Sequence, residues 1–140
     1  MKLTRREVLV LGSGAVVAAS MVSLPAFAST VEEDIKTLIG GAEVKEGGID
    51  LSAPEIAENG NTVPVEVDAE GAESITLFAA GNPTPAVATF KFGPLSPSQS
   101  ASTRIRLAKT QDVVAIAKMK DGSFRRASTT VKVTIGGCGG

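Results

Sequence analysis

Cys138 is the single thiol of a 140-residue chain that contains no His, Trp or Tyr. It stands third from the C-terminus, between Gly136-Gly137 and Gly139-Gly140. A thiolate is both a nucleophile and a reversible point of attachment for another sulfur. Catalytic cysteines are usually activated by a nearby base, a cation or a helix N-terminus. Without His there is no Cys-His or Ser-His dyad, no imidazole base and no Cys-x-x-Cys-His haem attachment. One thiol and no imidazole cannot build a structural zinc site, and one thiol cannot close an intramolecular disulfide. No metal or other cofactor is expected. The nearest charge in sequence to Cys138 is the C-terminal carboxylate, which disfavours thiolate. The chemistry left is that of a substrate carrier rather than an enzyme, with the thiol activated by the proteins it visits.

The glycines fit that reading. Ile135 is the last residue expected to be held by packing, and three steps beyond it give the backbone of Cys138 a reach of ~10 Å. Gly136, Gly137, Gly139 and Gly140 have no Cβ, so they read as a thin, pliant swinging arm able to enter a partner's channel. A glycine-rich terminus alone would be ordinary fraying. A lone cysteine alone would be a buried, inert one. The symmetric combination in an exported chain sets this tail apart. A prenylation signal is excluded, because it needs Cys fourth from the end.

Export is read from the other terminus. Lys2, Arg5 and Arg6 form a positive segment, an apolar stretch runs from Val8 to Leu24, and Ala26-Phe27-Ala28 is a small-residue cleavage pattern with Ser29 as the mature start. The adjacent Arg5-Arg6 resemble a twin-arginine signal, although Val8 and Val10 replace its usual Phe and Lys; general secretion is the alternative route. Glycines in the apolar stretch and the cleavage pattern argue against a membrane anchor. Removing residues 1–28 leaves 11 basic and 14 acidic side chains, a net charge of −3. That balance does not suggest nucleic-acid binding. A single cysteine in an oxidising compartment either pairs between chains or is a reactive thiol.

The elements that must position the thiol are mostly strands. Residues 30–41 read as a short helix, with Thr30 and Glu33 at capping-box spacing, Val31, Ile35, Leu38 and Ile39 as an apolar stripe, and Gly40-Gly41 as the stop. A helix this short is marginal alone and is expected to dock on its own domain. Ile49 and Leu51 alternate, and Asn59-Gly60-Asn61 reads as a turn. Val63, Val65 and Val67 alternate with Pro64, Glu66 and Asp68 as a half-buried strand. Pro64 places that strand at an edge, or bonded on one side only there. Residues 75–80, 87–92 and 103–109 supply three further runs. Val113 to Lys120, Asp121-Gly122 and the segment ending in Val131, Val133 and Ile135 read as a hairpin with a two-residue primed turn. About seven short strands in roughly 90 residues predict an all-β, immunoglobulin-like antiparallel β-sandwich. Its core is light, with Phe78, Phe90, Phe92 and Phe124 as its aromatics. The expected divisions are a signal peptide at 1–28, a helix and linker at 29–48, the sandwich at 49–135 and the arm at 136–140. Arg104, Arg106, Arg125 and Arg126 read as a solvated strand face.

The ending Val131-Lys132-Val133-Thr134-Ile135-Gly136-Gly137-Cys138-Gly139-Gly140 resembles the C-terminal signature of the SoxY family of sulfur carriers. Residues 57–65, Thr103-Arg104-Ile105-Arg106-Leu107-Ala108 and residues 112–117 resemble the family too, as does the leader. The resemblance implies an immunoglobulin-like sandwich in the periplasm, paired with SoxZ, with the substrate covalently attached to Cys138. It implies transient docking to SoxAX, which joins thiosulfate to the thiol, to SoxB, which removes sulfate, and to SoxCD-type enzymes for the remaining sulfur. No membrane contact is expected after signal cleavage. The competing reading from residues alone is an exported structural or adhesive module crosslinked by an interchain disulfide through Cys138.

Overall fold

A computed structural model describes residues 30–137. The expected signal residues Arg5 and Arg6, the cleavage pair Ala28 and Ser29, and Cys138, Gly139 and Gly140 lie outside the described residues.

The chain enters through helix α1, Val31–Ile39. Its capping box is formed: Glu33 N–H donates to Thr30 Oγ1 at 3.4 Å and Thr30 N–H to Glu33 Oε2 at 3.1 Å. Gly40 ends the helix in the left-handed conformation, φ +61°, and its N–H donates to Lys36 O. Nine strands follow: β1 Val44–Glu46, β2 Asp50–Ser52, β3 Ile56–Asn59, β4 Val63–Asp68, β5 Ala72–Ala79, β6 Ala86–Lys91, β7 Ser100–Ile105, β8 Gln111–Met119 and β9 Phe124–Ile135.

The strands form two layers. One sheet runs β1-β9-β8-β5-β6, with β3 also on β9; the other runs β2-β4-β7. The alternation of β4 faces Val63, Val65 and Val67 into the gap, where they meet Ile75 and Leu77 of β5, Val113 and Ala115 of β8, and Val131 of β9. The opposite face of the larger sheet is covered too. Phe78, Val114, Ile116 and Phe124 pack beneath Ile35 of α1, with Val31 and Ile39 at the margin. The helix therefore docks on its own domain. Burying one Ile such as Ile35 contributes ~1.5–3 kcal/mol, which a nine-residue helix needs. Arg126 of β9 adds a two-pronged contact to Glu32, with Nη2 2.9 Å from Oε1 and Nη1 3.4 Å from Oε2. Covering on both faces explains the unbroken burial from Val113 to Ala117, which alternation alone does not produce.

Several expectations change. Residues 44–46, placed in a linker from sequence, form β1 and pair in parallel with Phe124–Arg126 of β9. The sandwich is not wholly antiparallel, because β3 also pairs in parallel with β9. Both added strands are too short to show a period. β4 is the middle strand of its sheet, yet β2 pairs it only from Glu66 to Asp68. Opposite Pro64 the only paired strand is β7, so of the two expected alternatives the strand is an interior one bonded on one side only there, and the missing N–H is tolerated. The run expected at 103–109 is a strand only to Ile105. The β8–β9 turn is one residue longer than the two-residue form. Met119 N–H donates to Ser123 O at 2.8 Å and Gly122 N–H to Met119 O at 3.0 Å, with Gly122 at φ +86°. That is a three-residue loop with a left-handed glycine.

Candidate functional site: the root of the C-terminal arm

β9 is the longest strand and carries the chain to the thiol. Its first part is hydrogen-bonded to β8 as far as Val131 opposite Gln111. Beyond that point β8 is left behind. Ile56, Ala57 and Asn59 of β3 take over opposite Lys132, Val133 and Ile135. Val133 N–H also donates to Thr110 Oγ1 at 2.9 Å, and Lys132 N–H to Glu55 O at 2.9 Å.

The strand then passes through a backbone knot made by three segments distant in sequence. Gly60 N–H donates to Ile135 O at 2.7 Å, Leu107 N–H to Gly60 O at 2.7 Å, and Gly137 N–H to Leu107 O at 2.8 Å. Gly60 and Gly137 are buried. A Cβ on Gly137 would stand 2.7 Å from Gly60 O and 3.0 Å from Gly60 C. A Cβ on Gly136 would collide with Ala108 O, and one on Gly60 would meet Leu107 O, Gly137 N and Ile135 O. Every obstacle is backbone, which cannot rotate away as a side chain can. None of these three glycines has a positive φ, so close approach requires them rather than an unusual conformation. Of the residues expected to form the arm, Gly136 and Gly137 are the two that the structure describes. Gly137 is tied to the sandwich by its N–H and by the backbone around it, whereas Gly136 is exposed and held only by the close approach of Ala108 O.

The knot needs residues 106–108 in a non-ladder conformation, and a buried amide pair holds them there. Asn82 Nδ2 donates to Arg106 O at 2.8 Å, and Ala108 N–H donates to Asn82 Oδ1 at 3.0 Å. Gln111 Nε2 donates to Asn82 Oδ1 at 2.8 Å and to Lys109 O at 2.9 Å, while its Oε1 accepts from Gly81 N–H at 2.8 Å. Asn82 and Gln111 are both buried, and no buried side-chain polar atom among the described residues lacks a partner. This is why the strand expected through Lys109 stops at Ile105: the backbone groups beyond it are occupied by side chains and by the glycine knot. Sequence reading gives Asn82 and Gln111 no role, and Gly60 and Leu107 enter it only through a turn, a strand alternation and family-like stretches, with no sign that they meet. No periodicity marks them, since apart from the local Gln111–Lys109 bond their partners in the amide pair and the knot lie 24 residues away or farther.

Around the root the surface is mixed. Ile135 and Ile56, on the paired β9 and β3, are 66% and 59% exposed. Arg104 and Arg106 are exposed, alternating with buried Ile105 and Leu107, and Arg104 Nη1 donates to Thr62 Oγ1 at 3.3 Å. Of the four arginines read as a solvated face, Arg126 is instead the clamp on α1. Hydrogen bonding to Arg126, then its charge and that of Lys36, lowers the Glu32 carboxyl below its ordinary value; Arg126 is raised in return. Among the described residues no group of Cys, Asp or Glu side chains could hold a metal ion. No helix among them is long and apolar enough to cross a membrane.

The molecule is thus an immunoglobulin-like β-sandwich whose last strand is threaded through a glycine knot toward a single thiol. The family model for "Sulfur oxidation protein SoxY" matches residues 35–138, from α1 through Cys138. The chain belongs to the SoxY family. It is similar to the sulfur carrier protein SoxY from Chlorobium limicola f thiosulfatophilum, with 38% identity and a TM-score of 0.67 over 78% of this chain and all of that one. It also resembles the superoxide reductase (neelaredoxin) of Ignicoccus hospitalis, with 18% identity and a TM-score of 0.55 over 62% of this chain and 80% of that one. A putative superoxide reductase from Thermotoga maritima is similar at 15% identity and a TM-score of 0.53, over 69% of this chain and 89% of that one. At these identities the reductases share the fold alone. None of the curated proteins compared with the chain matches it.

Proposed function

We propose that this chain is a covalent sulfur carrier in thiosulfate oxidation, holding its cargo on the Cys138 thiol. The observation that carries this reading is the continuity of β9 into the knot. Cys138 follows in sequence directly after the anchored Gly137 and lies within the span matched by the family. In loading, a new S–S bond joins Cys138 to thiosulfate, the thiol proton is released, and two electrons pass to a haem partner of the SoxAX type. A SoxB-type hydrolase then adds water across the S–S bond to the sulfonate, freeing sulfate and leaving a persulfide on Cys138. A SoxCD-type enzyme acts on the sulfane sulfur that remains. Each product stays attached through sulfur, yet can be released by exchange.

In this reading the chain supplies no catalytic group, works in the periplasm after cleavage at Ala28, and is paired with SoxZ. The knot adds a division of labour. Gly136 and Gly137 set where the arm leaves the body, and Cys138 with Gly139 and Gly140 is the part offered to enzymes. Exposed Ile56 and Ile135 beside the exit suit a partner's rim, where apolar surface is covered only while docked.

The test is intact-mass spectrometry of protein recovered from cells growing on thiosulfate. Additions matching thiosulfonate and persulfide on Cys138, with thiosulfate oxidation lost in Cys138→Ser, are expected. A disulfide-linked dimer that never bears these adducts, with oxidation surviving the substitution, would refute the carrier and favour a crosslinked structural module.

A further inference from the structure

Arg104 and Arg106 project from the same face of one segment, since the alternating Ile105 and Leu107 are buried at 4% and 0% exposure. They border a groove of about 380 Å³ whose other walls come from Asn82, Thr84, Ala86 and Val87. No carboxylate lines it. The ion pairs among the described residues are Lys118–Glu73 and Arg126–Glu32, so neither arginine is neutralised by an acidic partner there. A guanidinium presents planar donors suited to an oxyanion.

The groove is joined to the arm by the backbone. Arg106 precedes Leu107, whose carbonyl receives the Gly137 N–H at 2.8 Å. Asn82, which lines the groove, holds the carbonyl of Arg106 at 2.8 Å. Thr62, two residues after the knot glycine Gly60, holds the guanidinium of Arg104. Asn82 therefore both lines the cationic groove and holds the segment that receives the arm root.

We propose that this groove is an anion subsite for the terminal sulfonate of a sulfur group, carried on Cys138 between visits to enzymes. The proposal rests on the carrier reading and goes beyond it by naming what the body of the protein contributes to the cargo. It predicts that a negatively charged adduct is recognised by the sandwich and a neutral one is not.

The mature chain can be loaded without enzymes. The Cys138 thiolate attacks an inner sulfur of tetrathionate; one S–S bond forms, another breaks, and thiosulfate departs with the bonding electron pair. The product bears –S–SO3⁻ on Cys138. Methyl methanethiosulfonate supplies the neutral –S–CH3 adduct by the same exchange, with methanesulfinate leaving. In ¹⁵N-resolved spectra, the sulfonate adduct should shift the Arg104 and Arg106 Nε–H signals and the neighbouring amides, and the methylthio adduct should not. Raising salt to ~0.5 M should reduce the shift at least twofold by screening. Equal shifts with both adducts, or none with the sulfonate, overturn the subsite.

Mass spectrometry of the same samples reports loading separately, so a thiol that refuses tetrathionate counts against the carrier reading. In that event free thiosulfate is titrated into Cys138→Ser protein. Shifts at Arg104 and Arg106 that vanish in Arg104→Gln/Arg106→Gln support an oxyanion subsite, and no shift overturns it.

Discussion

Gly60→Ala tests whether the glycines at the arm root are present for close approach or for pliancy. The new Cβ would stand 2.8 Å from Gly137 N and 2.9 Å from Ile135 O, and in collision with Leu107 O. All three are backbone atoms of segments pinned elsewhere, so the knot must open. Opening it removes the bonds Gly60 N–H to Ile135 O, Leu107 N–H to Gly60 O, and Gly137 N–H to Leu107 O. At about 1 kcal/mol net per bond the loss is ~3 kcal/mol. Replacing Gly by Ala stiffens the unfolded chain and returns ~0.4–1 kcal/mol. A net destabilisation of ~2 kcal/mol is expected, which at a urea slope of ~2 kcal/mol/M lowers the midpoint by ~1 M. The control is Gly93→Ala, where a Cβ meets nothing within 4 Å and φ is not positive. There only the unfolded-state term remains, and the midpoint should stay level or rise. Urea unfolding followed by far-ultraviolet circular dichroism reads both. If Gly60→Ala unfolds at the same urea concentration as Gly93→Ala, the steric account of the knot is wrong.

Gly137→Ala should behave differently, because the end of the chain can peel away from Gly60 instead of straining it. Stability should fall by no more than ~1 kcal/mol, while hydrogen exchange at residue 137 accelerates to the rate of an unprotected amide. Unchanged protection would mean the Gly137–Leu107 bond does not hold the root. Asn82→Ala leaves Arg106 O, Ala108 N–H and the Gln111 amide short of partners. A loss of about 2–4 kcal/mol is expected, with faster exchange at Leu107 reporting that the damage reaches the knot. For Glu32 the folded carboxyl is lowered relative to its ordinary 4.5 by Arg126. Its contribution is therefore complete above that value and disappears as pH falls through the lower folded value. The Glu32 side chain is 56% exposed, so solvent screening keeps the effect below ~0.5 kcal/mol. Thermal melts from pH 6 to 2 should show Glu32→Gln converging on the parent protein at the acid end; a constant difference at every pH would contradict the pair.

The local features of this protein were legible in the order of its residues. The capping box at Thr30 and Glu33, the Val63-Val65-Val67 alternation, the β8–β9 hairpin and the family ending around Cys138 depend on neighbours a few positions apart. Chemistry was limited as directly, since a chain with one thiol and no imidazole has few sites to offer. Tertiary structure decided what no period records. Residues 113–117 are buried on both faces because α1 covers the sheet from outside, and Val44–Glu46 becomes a strand only because β9 has an open edge beside it. Above all, the same glycines suggest pliancy when read in sequence and contact when folded. Gly136 and Gly137 lack a side chain because Gly60 and Ala108, brought close by the fold, occupy the space it would need. Sequence put the thiol near a strand end; three non-local backbone bonds hold the chain to the sandwich as far as Gly137.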